Sequence, residues 1–324
     1  MDEAAYLRAI LDAPDDDLPR LGYADWLDQN GHRERAEFIR IQIELARSPS
    51  HPEHAALRKR EAELLAAYAR SWVPVNALAL FFEWRRGFVA VLNPCARGVF
   101  GGEDSLKILA EFPLAEELDL EFCMTDAEFC HMPDLPNLVS FGIGGNARVT
   151  DDSIRRIGLW KSLRKLKLNG RNVTDASLSH LEPLKDLTEL DVSYSGITDT
   201  GLSHFAAPST LQSLDLSNTE ITSAGLAVLL PRIPKLRKLN LFDTRASEQN
   251  FEVLVGCTKL EELHLGSYRW ERAIADADVI VLHELPALRV LDLAGWCDIS
   301  QTFVNSMRQH VPLQELWING NRQV

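Results

Sequence analysis

No stretch of this chain is apolar for anything near the ~20 residues a membrane-spanning helix needs. The opening, MDEAAYLRAILDAPDDD, is acidic where an export leader is basic, and it has no long apolar core. The expectation is a cytoplasmic chain with no membrane partner. Basic residues are in deficit, 34 Lys and Arg against 47 Asp and Glu, a net charge of −13. That sign argues against nucleic acid, because affinity for phosphate backbones comes from Lys and Arg releasing counterions. Cysteine is sparse: five residues, odd in number and irregularly spaced, do not make a disulfide framework.

Catalytic and metal-binding signatures are missing as well. The nine His residues fall in no HExxH or similarly spaced ligand set. There is no GxSxG, P-loop or dinucleotide fingerprint, and the glycines of GIGGNAR (142–148) lead to no Lys-Ser/Thr. Cys123 and Cys130 lie seven apart, but Cys123 falls at a turn position of the repeat described below. The sequence therefore predicts no catalytic residue, no metal and no cofactor.

What is present is ordinary for a folded chain: 46% apolar and 25% charged residues over 324 positions, enough for about two domains or one extended array. Self-similarity decides between these. One phrase recurs, clearest in LRKLKLNGRNVTDASLSHLEPLKD (163–186), LTELDVSYSGITDTGLSHFAAPST (187–210) and LQSLDLSNTEITSAGLAVLLPRIPK (211–235). Copies start at Leu138, Leu163, Leu187, Leu211, Leu236, Leu260, Leu288 and Leu313, in steps of 25, 24, 24, 25, 24, 28 and 25. An earlier copy lies around 115–129, which makes nine.

Within each copy the hydrophobic period changes. In LTELDV, Leu190 and Val192 point to one side of a short strand while Glu189, Asp191 and Ser193 point to the other. Leu178, Leu181 and Leu184 then follow at helical spacing. Between strand and helix stands Thr or Ser, usually with a polar residue after it: Thr125-Asp126, Thr150-Asp151, Thr174-Asp175, Thr198-Asp199, Thr222-Ser223, Ser247-Glu248. The hydroxyl suits an N-cap, and an acid in the first turn suits the helix dipole. One turn cannot bury its own leucines, whereas stacked turns bury them together.

The pattern L-x-x-L-x-L-x-x-(N/T/C)-x-(I/V)-T-D over 113–324 resembles the leucine-rich repeats, in particular their ribonuclease-inhibitor-like and cysteine-containing classes. The resemblance implies an α/β solenoid, a right-handed horseshoe with a parallel concave sheet and convex helices. The copy at Leu260 carries an insertion, GSYRWERAI (266–274), which offers Tyr268, Arg269 and Trp270 at the rim of the strands. The last copy supplies a strand but no helix. It either serves as the polar cap a solenoid needs or is covered by a partner.

Residues 1–72 show no repeat and read as four helices: Glu3–Leu11, LPRLGYADWLDQ ending at Asn30-Gly31, Arg33–Arg47, and Glu53–Arg70. Within them, Asp16, Asp17, Pro19, Arg20, Leu21, Tyr23, Ala24, Asp25, Trp26 and Leu27 are followed by Gly31, Arg35, Ala36, Glu37, Phe38, Ile39, Arg40 and Gln42. This string is similar to the repeat-companion domain of planctomycetes and some other bacteria, a small all-α module preceding repeat arrays. That resemblance implies architecture and no chemistry. Tyr23 and Trp26 are expected in its core, and Arg20, Asp25, Glu37 and Arg40 as ion pairs between the second and third helices. Residues 73–112 are read as a linker with a capping strand (GFVAVLN, 87–93) and a short helix near 104–110.

Function is then sought on the exposed strand positions. These offer Glu117, Asp119, Glu121, Lys165, Lys167, Glu189, Asp191, Asp215, Lys238, Phe242, Glu262, His264, Asp292 and Trp317, joined by Tyr268 and Trp270 of the insertion. A curved acidic face with aromatics steers basic partners. The expectation is a non-catalytic scaffold that binds a protein or peptide with basic patches. The alternatives are an adaptor bringing a substrate to an enzymatic complex, as F-box-type repeat proteins do, and an enzyme with an unrecognised site in the N-terminal module. Oligomeric state is left open.

Overall fold

The computed structural model describes residues 2–47, 54–74, 80–94, 106–120, 124–144, 148–248, 251–268, 274–295 and 297–323. They form two compact units, Met1–Glu121 with Cys130–Ser140, and Phe122–Phe129 with Phe141–Val324.

The first unit begins with the helices the punctuation predicts: α1 (Glu3–Asp12), α2 (Asp17–Gln29), α3 (Arg33–Arg47) and α4 (His54–Tyr68). Asp2 and Asp16 accept N–H bonds from Ala5 and Leu18 and so cap α1 and α2. Tyr23 is buried with Ile10, Ala24, Leu27, Ala36, Ile39 and Ile43, and Trp26 packs against this cluster half-buried. The expected ion pairs form only in part. Arg40 grips Asp25 at 2.7 Å and Asp28 at 2.6 Å, tying α3 to α2. Glu37 instead faces α4 and pairs with Arg60 at 2.8 Å, while Arg20 donates to the Asp16 carbonyl within its own helix. A four-residue spacing places a side chain on a face, but which neighbouring helix it meets is a tertiary matter.

Residues 80–94 form a hairpin, β1 (Leu80–Arg85) antiparallel to β2 (Phe88–Pro94), where composition predicts only the second strand. The turn Arg86-Gly87 has φ of 49° and 87°, the left-handed geometry of a tight hairpin. A Cβ on Gly87 would lie 2.4 Å from Ile39 Cγ1, so the turn presses directly on α3. Gln42 secures it: its amide oxygen accepts from Gly87 N–H at 2.7 Å, and its amide nitrogen donates to the Trp84 carbonyl at 3.1 Å and Glu61 at 2.9 Å. Near 104–110, where a short helix is expected, the described residues 106–107 are helical and continue into a 3-10 turn at Ile108–Glu111. Then β3 (Glu117–Leu120) lies parallel to β2.

The second unit is an α/β solenoid. Short strands β4 (Ser140–Ile143), β5 (Lys165–Leu168), β6 (Glu189–Asp191), β7 (Ser213–Asp215), β8 (Lys238–Asn240), β9 (Glu262–Ser267), β11 (Val290–Gly295) and β13 (Glu315–Ile318) follow one another in the sheet. From β5 onward the register is parallel and unshifted, so Leu166, Leu190, Leu214, Leu239, Leu263, Leu291 and Leu316 make one column, each at most 2% exposed. Burying a leucine is worth about 1.5–3 kcal/mol relative to leaving it in water, and no single turn could do it. Return segments carry α5 (Asp126–Phe129), α6 (Asp151–Ile157), α7 (Asp175–His180), α8 (Asp199–His204), α9 (Ser223–Leu229), α10 (Asp276–Val279) and α11 (Gln301–His310). Among the described residues, the copy at Leu236 shows 3-10 turns there, Arg245–Glu248 and Glu252–Leu254. After the inserted segment, β10 (Ile274–Ala275) pairs in parallel with β12 (Cys297–Asp298). The final strand turns back at Asn319-Gly320, both at positive φ, into β14 (Asn321–Arg322), which lies antiparallel on β13.

Candidate functional site: the open face of the repeat sheet

Register turns the exposed strand positions into two columns. The first runs Lys165, Glu189, Ser213, Lys238, Glu262, Val290, Glu315; the second runs Lys167, Asp191, Asp215, Asn240, His264, Asp292, Trp317. Neighbours in a parallel sheet stand about 4.8 Å apart, so opposite charges meet across rungs. Lys165 Nζ lies 2.9 Å from Glu189, and Lys238 Nζ lies 2.7 Å from Glu262. His264 links both columns, Nε2 to Glu262 at 3.0 Å and Nδ1 to Asp292 at 3.3 Å.

These contacts set the protonation. The hydrogen bond to Asp292 is the largest influence on His264; with the Glu262 contact it outweighs burial and raises the imidazole pKa. Burial pushes Glu262 up, but the bonds from Lys238 and His264 carry it below the ordinary carboxylate value. Asp215 moves the other way, raised first by burial and further by the charge of Asp191 beside it. Asn240 donates to Asp215 Oδ2 at 2.8 Å.

The carboxylates of the second column also serve the backbone. Asp191 Oδ1 accepts from Ser193 N–H at 2.9 Å, Asp215 Oδ1 from Ser217 N–H at 2.8 Å, and Asn240 Oδ1 from Phe242 N–H at 3.0 Å. Each is an Asx turn that ends the strand. The position after it is therefore not part of an open face everywhere: Ser193 and Ser217 are buried, contrary to strict alternation. Phe242 at the same place is half-buried.

At the strand ends the chain takes up left-handed geometry, at Tyr194 (φ 57°), Asn218 (58°) and Asp243 (56°), with Gly295 (84°) at the matching position. Asn, Asp and Gly tolerate this conformation; Tyr rarely does. Tyr194 is nonetheless 57% exposed, and its sequence signal was that a bulky residue occupies a slot filled elsewhere by turn formers. Asp243 organises the start of the insertion, accepting from Ser267 Oγ at 2.5 Å and Tyr268 N–H at 2.9 Å. This carries the Tyr268 ring edge-on to Phe242, centroids 5.4 Å apart, with Tyr268 67% exposed. Two residues that sequence offers separately thus form one aromatic step.

The remaining candidates are placed as follows. Trp317 is half-buried and its indole donates to Glu315 at 3.1 Å. Glu117 and Asp119 belong to the first unit, where Glu117 pairs with Arg85 at 2.7 Å. Lys167 is half-buried in the second column. Glu121 and Trp270 lie outside the described residues, as do Arg269 and Cys123. Cys130 is exposed, and burial pushes the Cys257 thiol up to about 11, which makes it a poor nucleophile. Among the described residues no group of three His, Cys, Asp or Glu could hold a metal, and no helix is long and apolar enough to cross a membrane.

A family model agrees with the repeat reading over residues 184–230. Residues 184–206 and 207–230 each match the family model described as Leucine Rich repeat. Among solved structures the chain is similar to the internalin inlF of Listeria monocytogenes, 20% identical with a TM-score of 0.47, the match covering 64% of this chain and 56% of that one. It is also similar to internalin C2 of the same organism, 22% identical with a TM-score of 0.44, covering 66% and 82%. No curated protein matches it.

Proposed function

We propose that the repeat unit is a non-catalytic scaffold that binds a protein or peptide on the open face of its sheet. The observation that carries this reading is the Phe242–Tyr268 step, with Tyr268 two-thirds exposed at the edge of a regular two-column surface of charges. Aromatic side chains held rigid beside satisfied charges are the composition of binding hot spots. The helix in most turns supports placing the repeats in the ribonuclease-inhibitor-like class, and the α2–α3 string supports a companion-type module before them.

The charge of the face favours a partner with basic patches. Asp191 and Asp215 stand side by side in the second column, so that pair, with Lys167 on its far side, concentrates the negative charge of the face. Neutralising them tests this without breaking the strand ends, because Asn keeps the oxygen that accepts the backbone N–H, as Asn240 does. The double substitution Asp191→Asn, Asp215→Asn should lower stability only modestly, by about 1 kcal/mol, because position 215 loses the acceptor that Asn240 Nδ2 uses. It should also weaken a co-purified partner about tenfold or more at low salt, with a smaller difference at high salt. Unchanged affinity would remove the acidic face from the interaction.

A further inference from the structure

Arg35, on α3 of the first unit, is held in a way the repeat scaffold does not require. Its guanidinium carbon lies 4.8 Å from the centroid of Trp84, 4.9 Å from Trp72, and 5.6 Å from both Phe38 and Phe88. Nη1 is enclosed with no hydrogen-bond partner. Burial pulls the group down to about 10, so it remains charged at neutral pH. Ring faces offset part of the cost of enclosing a cation, but they accept no N–H bonds in the plane of the guanidinium. A buried charge that lacks its counter-ion is costly, and such groups persist where something binds them.

Arg35 also lines a cavity of about 450 Å³ in this unit, walled by Tyr23, Trp26, Tyr68 and Trp72. Tyr23 stacks on Trp26 with centroids 5.9 Å apart, and Tyr68 on Trp72 at 6.0 Å, giving flat apolar walls. We propose that this cavity is a ligand site in which the Arg35 guanidinium takes a carboxylate carried on a flat apolar body. Size fits a small ligand rather than a folded surface. Glu3 and Glu34 line the same cavity and oppose a dianionic phosphate more strongly than a monoanion. Glu3 accepts the Tyr23 hydroxyl at 2.7 Å, which fixes its place in the wall. Nη1 itself is closed off and Arg35 as a whole is half-buried, so a carboxylate in the cavity would take its N–H bonds from the remaining guanidinium nitrogens.

The ligand is either a free organic acid or the carboxyl terminus of a peptide, and probes separate the two. The full chain is titrated calorimetrically with 3-phenylpropionate, with its uncharged primary amide, and with N-acetylphenylalanine as a stand-in for a chain terminus. Saturable binding of at least one acid is expected, weakened about tenfold or more in the amide and in Arg35→Met. Tighter binding of N-acetylphenylalanine assigns the peptide terminus; tighter binding of 3-phenylpropionate assigns the free acid. Ser71→Trp, which fills the cavity wall and leaves Arg35 in place, should abolish binding even if Arg35→Met fails to fold. No saturable binding of either acid, an amide that binds as tightly as its acid, or binding that survives Ser71→Trp would overturn the site.

Discussion

Asp175 of one repeat accepts the hydroxyl of Thr198 in the next at 2.7 Å, and its other oxygen accepts the Thr198 backbone N–H at 2.7 Å. The same clasp joins Asp126 to Thr150, Asp199 to Thr222 and Asp276 to Ser300. In these four repeats the acid in the first helical turn thus serves the following turn, beyond the dipole role that its place implies. The leucine column fixes register on the sheet side, and this ladder fixes it at the helix starts.

Breaking one clasp should be felt globally. Asp175→Ala leaves two donors of Thr198 without their acceptor, and a loss of about 1–3 kcal/mol in urea unfolding is expected. Gly225 reports on the same geometry: a Cβ there would stand 2.2 Å from Asp199 Oδ1. Gly225→Ala should therefore destabilise the wild type more than it destabilises an Asp199→Ala background. A double-mutant cycle reads that coupling directly.

Acid should loosen the ladder. Burial raises Asp126, but bonds from Ser153 and Thr150 outweigh it and hold the carboxyl below its ordinary value. A depressed pKa gives stability that is complete above the unfolded value, near pH 4, and is lost as pH falls through the folded value. The stability gap between wild type and Asp126→Asn should accordingly be largest at neutral pH and close below about pH 4. Unfolding curves across pH 2.5–7 check this.

His264 predicts the opposite slope. Its raised pKa means the Glu262–His264–Asp292 bridge contributes fully below about pH 6.5 and fades as pH rises through the folded value. Wild type should lose more stability than His264→Gln between pH 5.5 and pH 8.5. The imidazole resonances should titrate above those of an exposed histidine.

Tyr194 carries a conformational cost that its exposure does not repay within the chain. Tyr194→Asn places a left-handed-tolerant residue where Asn218 already serves in the next repeat, and should stabilise the fold by roughly 0.5–1 kcal/mol. If the tyrosine is kept for contact, the same substitution should weaken a bound partner.

The repeats were legible because every copy restates the same physics. Alternating leucines, a Thr and a second apolar period left one arrangement in which Leu190, Leu214 and Leu239 could all be buried. The first unit was legible as helices for the same reason, through Asp16, Asn30-Gly31 and the spacing of Phe38, Ile41 and Leu45. Three things were not readable. Gln42 and Gly87 are 45 positions apart, and nothing local says that one clamps the other. The double duty of Asp191 and Asp215, as charge and as strand stop, appears only once Ser193 and Ser217 are seen buried beneath them. The ring cage around Arg35 draws Trp84 and Phe88 from the segment read as a linker with a capping strand.

The central claim is that partners bind the open sheet face. Hydrogen exchange on the full chain, alone and with a co-purified partner, measures it most directly. Slowed exchange should concentrate at the strand ends and rim, in 192–196, 216–219, 241–244 and 266–268, while amides of α7, α8 and α9 exchange as before. Protection centred on those helices, with the rim unchanged, would contradict the account.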